Sequence, residues 1–234
     1  IDNPRLRTLP ALPVEIYVLE DQATLDTFRP TNLENVSGFA MAVPGRNIFV
    51  MNAGVEGTEK SQVVCHEFTH LYLGGNYPDL PVWLNEGLAE YYGTFRPRGL
   101  SAEFGHRRDW MIAWLGEHEL VPLDLLFAMN TRARAYTKDN DLRTTTYAEG
   151  WALAHYLQSD PARAGKFRAM LEAMHGGEAA RAAFDRGFPP AEEAQLLEAL
   201  RRYVRDAFIE PRVVKLERRL ESASAATRAV PPAE

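Results

Sequence analysis

The chain has 234 residues, 46% of them hydrophobic and 25% charged, with a formal net charge of −6. That length buries a sizeable core in one large domain or two intimate subdomains, and no apolar run approaches the roughly eighteen residues that span a bilayer. The acidic balance leaves no basic footprint for a phosphate backbone, which argues against nucleic acid as a partner.

Residues 1–13 carry Pro4, Pro10 and Pro13 and read as an extended segment. Val14-Glu-Ile-Tyr-Val-Leu19 alternates like a strand, and Asp21 to Arg29 has the acidic start and apolar spacing of a short helix stopped by Pro30. Strand-like runs at Gly38–Val43 and Asn47–Met51 flank Pro44-Gly45-Arg46, whose turn chemistry predicts a hairpin. A helix is expected over 59–73, with Thr58 as N-cap, Glu59 at its positive end and a C-cap at Gly74-Gly75. Val63, Val64, Phe68, Leu71 and Tyr72 supply its packing faces. A second helix follows from Val82 to Tyr92, antiparallel to the first, with Pro81 at its start.

Thr94 to Ser101 reads as a loop and a subdomain boundary. Helices are then expected over 102–118, 123–129, 147–158, 162–174, 178–186 and 191–208, with a long polar loop at 130–146 of the kind that forms lids. The predicted organisation is an extended segment (1–13), an α/β subdomain (14–95), a helical subdomain (96–210) and a flexible tail (211–234), an α+β fold with a small mixed sheet. The first residue is Ile1 rather than Met, as removal of a signal peptide or trimming would leave it. An exported location, periplasmic or secreted, is favoured over a cytoplasmic one.

His66-Glu67-Phe68-Thr69-His70 puts two imidazoles one helical turn apart on one face with a carboxylate beside them. This is the H-E-x-x-H pattern, in which two neutral histidines bind zinc and the glutamate deprotonates a bound water. Leu73 and Asn76 stand where a three-histidine site would need Gly and His, so the third ligand lies elsewhere. Glu86, sixteen residues after His70 on the second helix, completes a His2Glu set. Glu90, one turn on, is placed to accept the free N–H of a ligating histidine, and Asn85 to serve the other. Cys65 points about 100° away from His66 and reads as a small buried group. Being the only cysteine, it excludes an intrachain disulfide.

The pair His66-Glu-Phe-Thr-His70 and Trp83-Leu-Asn-Glu-Gly-Leu-Ala-Glu-Tyr91, with Thr146-Tyr-Ala-Glu-Gly-Trp-Ala-Leu-Ala-His-Tyr-Leu157, resembles the gluzincin metallopeptidases. The closest likeness is to their peptidase MA-like branch, small bacterial relatives of thermolysin and of the aminopeptidase N type. The resemblance implies a thermolysin-like catalytic core and one zinc ion on His66, His70 and Glu86. It also implies Glu67 as general base and a tyrosine or histidine from the helical part as oxyanion donor. Tyr147, 61 positions after Glu86, is the choice, with Tyr136 and His155 in reserve. Family aminopeptidases carry Gly-x-Met-Glu-Asn on the strand before the zinc helix, and the nearest text is Gly38-Phe-Ala-Met-Ala42. That departure puts exopeptidase specificity in doubt, although Glu56, just before the site helix, could bind a substrate amine instead. His106, His118 and His175 read as surface residues, and Trp110, Trp114 and Trp151 as core.

The expected function is zinc-dependent hydrolysis of a peptide or protein substrate, with no membrane-spanning segment. The rival is a catalytically weak, zinc-stabilised binding or scaffolding domain; a third possibility is a non-peptide hydrolase on the same site.

Overall fold

The computed structural model describes residues 13–31, 36–54, 58–77, 79–129, 139–206 and 209–220. Its N-terminal part runs β1 (Val14–Leu19), α1 (Gln22–Phe28), β2 (Gly38–Val43) and β3 (Arg46–Asn52). Asp21 caps α1, its carboxylate accepting the Thr24 N–H at 2.8 Å. The β2–β3 hairpin turns at Gly45 with φ 84°, a left-handed value that glycine adopts without Cβ strain. β1 joins the other edge of β3 in parallel, giving the order β1-β3-β2 and the mixed sheet expected. Leu25, Phe39 and Val50 form a small core on the α1 side.

Next come α2 (Thr58–Asn76) and α3 (Val82–Gly93), then the strands β4 (Arg96–Arg98) and β5 (Ser101–Phe104). The helical part comprises α4 (Asp109–Glu117), α5 (Leu123–Ala128), α6 (Asn140–Gln158), α7 (Pro161–His175), α8 (Ala180–Gly187) and α9 (Glu193–Arg205), and β6 (Arg212–Lys215) closes it. The fold is α+β, as expected. No helix among the described residues is long and apolar enough to cross a membrane.

Several boundaries differ from the sequence reading. α2 passes through Gly74 and Gly75 and ends at Asn76, whose amide donates to the Tyr72 carbonyl at 2.7 Å in place of a glycine cap. Phe68 is 40% exposed rather than packed, and Leu73, at 1%, takes the buried position. The loop at 94–101 contains the β4–β5 hairpin, so the helix expected from Ala102 begins at Asp109. α6 begins at Asn140, where the Asp139 carboxylate accepts the Leu142 N–H, so Tyr147 lies inside a helix instead of at its start. The tail read as flexible from 211 is ordered at 212–215, where β6 pairs with β5. The capping side chains Thr58 and Glu59, together with Glu56, Tyr136 and residues 1–12, fall outside what is described.

The boundary read near residue 95 does not divide the core. Leu73 and Trp83 share one cluster with Trp151, Phe184 and Leu200, which joins the α2–α3 pair to the helical body. α3 is the centre: nine of its twelve residues are buried, the mark of a helix covered on every side. It lies between α2 and α6, and α2 in turn packs on the face of the sheet opposite α1.

The α3–α6 contact is backbone against backbone. A Cβ on Gly87 would lie 2.3 Å from the Gly150 carbonyl oxygen, and one on Gly150 would lie 2.3 Å from that of Trp83. Neither neighbour is a flexible side chain, so both glycines are required for the spacing. Gly87→Ala or Gly150→Ala should lower stability by about 1–3 kcal/mol or more through overpacking, read as a fall in Tm. Gly165→Ala on α7, where nothing lies within 4 Å, should instead raise stability by about 0.5–1 kcal/mol.

Beside that crossing, Glu149 is fully buried, with Oε2 accepting the Val121 N–H at 2.6 Å and Oε1 without a partner. Burial pushes its carboxyl up to about 8, against the opposing pull of the Val121 N–H and Arg201. Between the unfolded value of 4.5 and about 8, the folded chain therefore keeps a proton that the unfolded chain releases. Stability from this group falls as pH rises through that window and is flat above it. Glu149→Gln keeps an acceptor for Val121 and removes the titration, so its gain in Tm over wild type should grow from pH 5 to pH 8; thermal melts across that range check this.

Candidate metal centre

α2 carries His66 and His70 on one face, and α3 runs back along it. Gly93 lies beside Gln62 and His66, Glu90 beside His66, and Glu86 beside both histidines, so the pair is antiparallel as expected. The close fit of Gly93, where a Cβ would stand 3.4 Å from that of His66, lets the helices approach here.

The geometry brings three expected ligands together. The Nε2 atoms of His66 and His70 are 3.0 Å apart, and Glu86 Oε2 lies 3.7 Å from the first and 3.5 Å from the second. This cluster can hold a metal ion. Two imidazole nitrogens that close need a proton or a cation between their lone pairs. The electrostatics say the same. Burial works against charge on Glu86, yet hydrogen bonds and attraction from His66 and His70 bring its carboxyl down to about 2. Burial also opposes charge on His70, but Glu86 and then Glu67 raise its imidazole to about 9. The site favours positive charge at the point where the three side chains meet.

Glu67 shares the cleft with this cluster. Burial raises its carboxyl, Glu86 adds to the rise, and His66, His70 and the Ala40 N–H oppose it. A carboxyl raised in this way more readily holds a proton it has accepted than an ordinary carboxylate does. The cleft has a volume of about 750 Å³ and is walled on one side by residues 36–41 of β2 and the chain leading into it. β2 is an edge strand of its sheet. Tyr147 also lines the cleft, packed against Val82 and Met129.

The supporting residues divide. Glu90 Oε1 faces His66 Nδ1 on the side of the ring away from the cluster, but at 3.6 Å it stands beyond hydrogen-bond distance. Asn85 lines the cleft and helps to raise His70, but His70 Nδ1 is buried with no hydrogen-bond partner, so Asn85 does not orient the ring by a bond of ordinary geometry. His155, a reserve oxyanion donor, is committed elsewhere. It is 3% exposed, with Nε2 donating to the Gly105 carbonyl at 2.7 Å and Nδ1 accepting the Tyr203 hydroxyl at 2.6 Å. Cys65, expected to be buried, is half-buried, and burial raises its thiol above the ordinary value.

Two contributors escaped the sequence reading. Arg108 bonds Glu90 Oε2 at 2.9 Å and donates to Gln62 Oε1 at 2.8 Å, fixing the carboxylate that faces His66. No local pattern announces it, because it reaches Glu90 only after the β4–β5 hairpin folds back. Trp110, expected in the core, is 48% exposed and lines the cleft; Trp151 is fully buried, and Trp114 is half-buried with its indole N–H on Thr145. Of the histidines expected at the surface, His175 is exposed, while His106 and His118 are half-buried, the latter stacked on Trp114.

Comparison with protein-family models, with curated proteins and with solved structures gives no match. The chemistry therefore rests on the geometry of this chain. Glu90→Gln and Arg108→Met should each weaken metal binding about 10–100-fold through loss of ring orientation, measured by competition with a chelating dye.

Proposed function

We propose that the protein is a zinc-dependent peptidase that uses a glutamate general base. The observation that carries this reading is an open triangle of His66, His70 and Glu86 in a cleft with a fourth carboxylate, Glu67, beside it. Zinc bonds of about 2.0–2.2 Å in a tetrahedron put neighbouring ligand atoms about 3.4 Å apart. The separations of 3.0, 3.5 and 3.7 Å bracket that value, so the donors fit one face of such a site. Structural zinc sites are closed by four protein ligands, whereas a three-ligand site facing a cleft leaves a position for chemistry. The resemblance of the H-E-x-x-H and Asn-Glu-Gly-Leu-Ala-Glu segments to the gluzincins points the same way.

Held by His66, His70 and Glu86, a zinc ion would supply Lewis-acid polarisation and a water of lowered pKa. Glu67, beside that cluster, would act as the general base that accepts a proton from the attacking water and returns it to the departing amine, a role its raised pKa favours. Tyr147 donates its hydroxyl to the oxyanion that forms as the carbonyl is attacked, a bond that strengthens in the transition state. An extended substrate adds its backbone to the edge of β2, where main-chain groups bind irrespective of sequence. Glu90 and Arg108 hold the His66 ring at its angle throughout.

Glu67→Gln should retain the metal and lose about 10²–10⁴ of its rate of peptide hydrolysis. Equal turnover by the two proteins with equal metal content would sink the assignment. Tyr147→Phe should lower kcat by about 10²–10³ with little change in KM, the pattern of a contact made only in the transition state.

A further inference from the structure

The second sheet carries a basic face. Register places Arg96, Glu103 and Val213 in one cross-strand row and Arg98, Ser101 and Lys215 in the next, all on one face. The opposite face, with Ala102 buried and Phe104 against Tyr91, packs on the body, so the first face looks outward. Glu103 is its one carboxylate, flanked by Arg98 at 3.5 Å and His106 at 3.4 Å. Arg96 and Lys215 have no ion-pair partner among the described residues. Across 96–104 and 212–220 the chain holds six Arg and Lys against two Glu, within a protein whose net charge is −6. His106 reports the local field: burial first, and then Arg96, push its imidazole below the ordinary range.

Apolar side chains stand among these cations. Leu100, at the hairpin tip beside Gly99 with φ 66°, is 63% exposed, Val213 60% and Leu220 48%. The tip is joined to the end of β6 by the Leu216 N–H on the Leu100 carbonyl at 2.9 Å, so the apolar and basic groups form one ordered surface. Exposed leucine and valine side chains leave apolar surface in contact with water beside these cations. Shallow insertion of apolar tips between headgroups, with Arg and Lys on anionic lipid, covers both at once.

We propose that the outer face of β4–β5–β6, with Leu100 at its tip, docks the protein on an anionic phospholipid surface as a peripheral contact. This does not depend on the peptidase reading. The surface lies along the chain immediately before Arg108 and Trp110 of the cleft, so docking orients the cleft relative to the bilayer.

The test is flotation of the full chain with vesicles of phosphatidylcholine, alone or mixed with phosphatidylserine. Binding is expected only to the mixed vesicles, and it should weaken as salt is raised. Removing a cation, as in Arg96→Gln or Lys215→Gln, should weaken it about fivefold each. Leu100→Ser should weaken it without reducing the salt dependence. Circular dichroism and Tm, expected to be unchanged in these variants, exclude misfolding as the cause. Absence of binding to mixed vesicles, equal binding to neutral ones, or unaltered binding by the variants overturns the proposal. So does retention on heparin without binding to vesicles, which assigns the patch to a soluble polyanion.

Discussion

The contact between the backbones of Gly87 and Gly150 is the constraint on which the arrangement depends. α3 and α6 approach so closely there that a Cβ on either helix would stand 2.3 Å from a carbonyl oxygen of the other. Glu86 adjoins one glycine and Glu149 the other, while Tyr147 sits one turn before Gly150. The crossing thus sets how far the third candidate ligand stands from Tyr147, which lines the same cleft. Trp83 and Trp151, both fully buried, pack around it, so large side chains hold the helices in place while small ones let them touch.

Around this joint the chain buries charge in quantity. Glu86, Glu67 and the two histidines would repel or be desolvated at a loss were they not mutually paired, and Glu86 in particular depends on both imidazoles to stay ionised. Glu149 has no cation at hydrogen-bond distance and stays protonated instead. The two carboxylates, on adjoining helices, are pushed in opposite directions by one difference: the presence or absence of imidazole partners. That contrast separates a group arranged to meet a cation from one that merely fills the core.

Much of this was legible in the sequence because its causes are local. The i, i+4 spacing of His66 and His70 fixes their shared face, Pro44-Gly45 fixes the hairpin, and alternation fixes the first strand. Glu86 was found because a short turn-rich link forces the next helix back. What the sequence concealed depends on distant partners. Thr94 to Phe104 reads as loop followed by helix because four-residue strands carry little periodic signal, and their pairing with 212–215 is known only once the chain has closed. Gly87 and Gly150 did leave a trace, as glycines inside strong helical text, which marks close approach of another backbone. Gly74 and Gly75 look the same on paper and have nothing within 4 Å, so the trace alone does not say which glycines matter.

The same long-range closure explains how Arg108 reaches the centre. The turn at Gly105, with φ 71°, requires glycine because a side chain there would collide with the Tyr91 ring, and its N–H bonds the Tyr91 carbonyl at 3.0 Å. His155 of α6 donates to the Gly105 carbonyl, and the Thr94 hydroxyl accepts the His106 N–H at 2.9 Å. These bonds tie the strand-to-helix connection to α3 on one side and to α6 on the other, which leaves Arg108 directed at Glu90. α6 therefore acts on the candidate metal site twice, through the glycine crossing that sets Glu86 and through His155, which steadies the connection carrying Arg108 toward Glu90 and His66. A centre that began as two histidines on one helix takes its precision from a third helix that contributes no ligand.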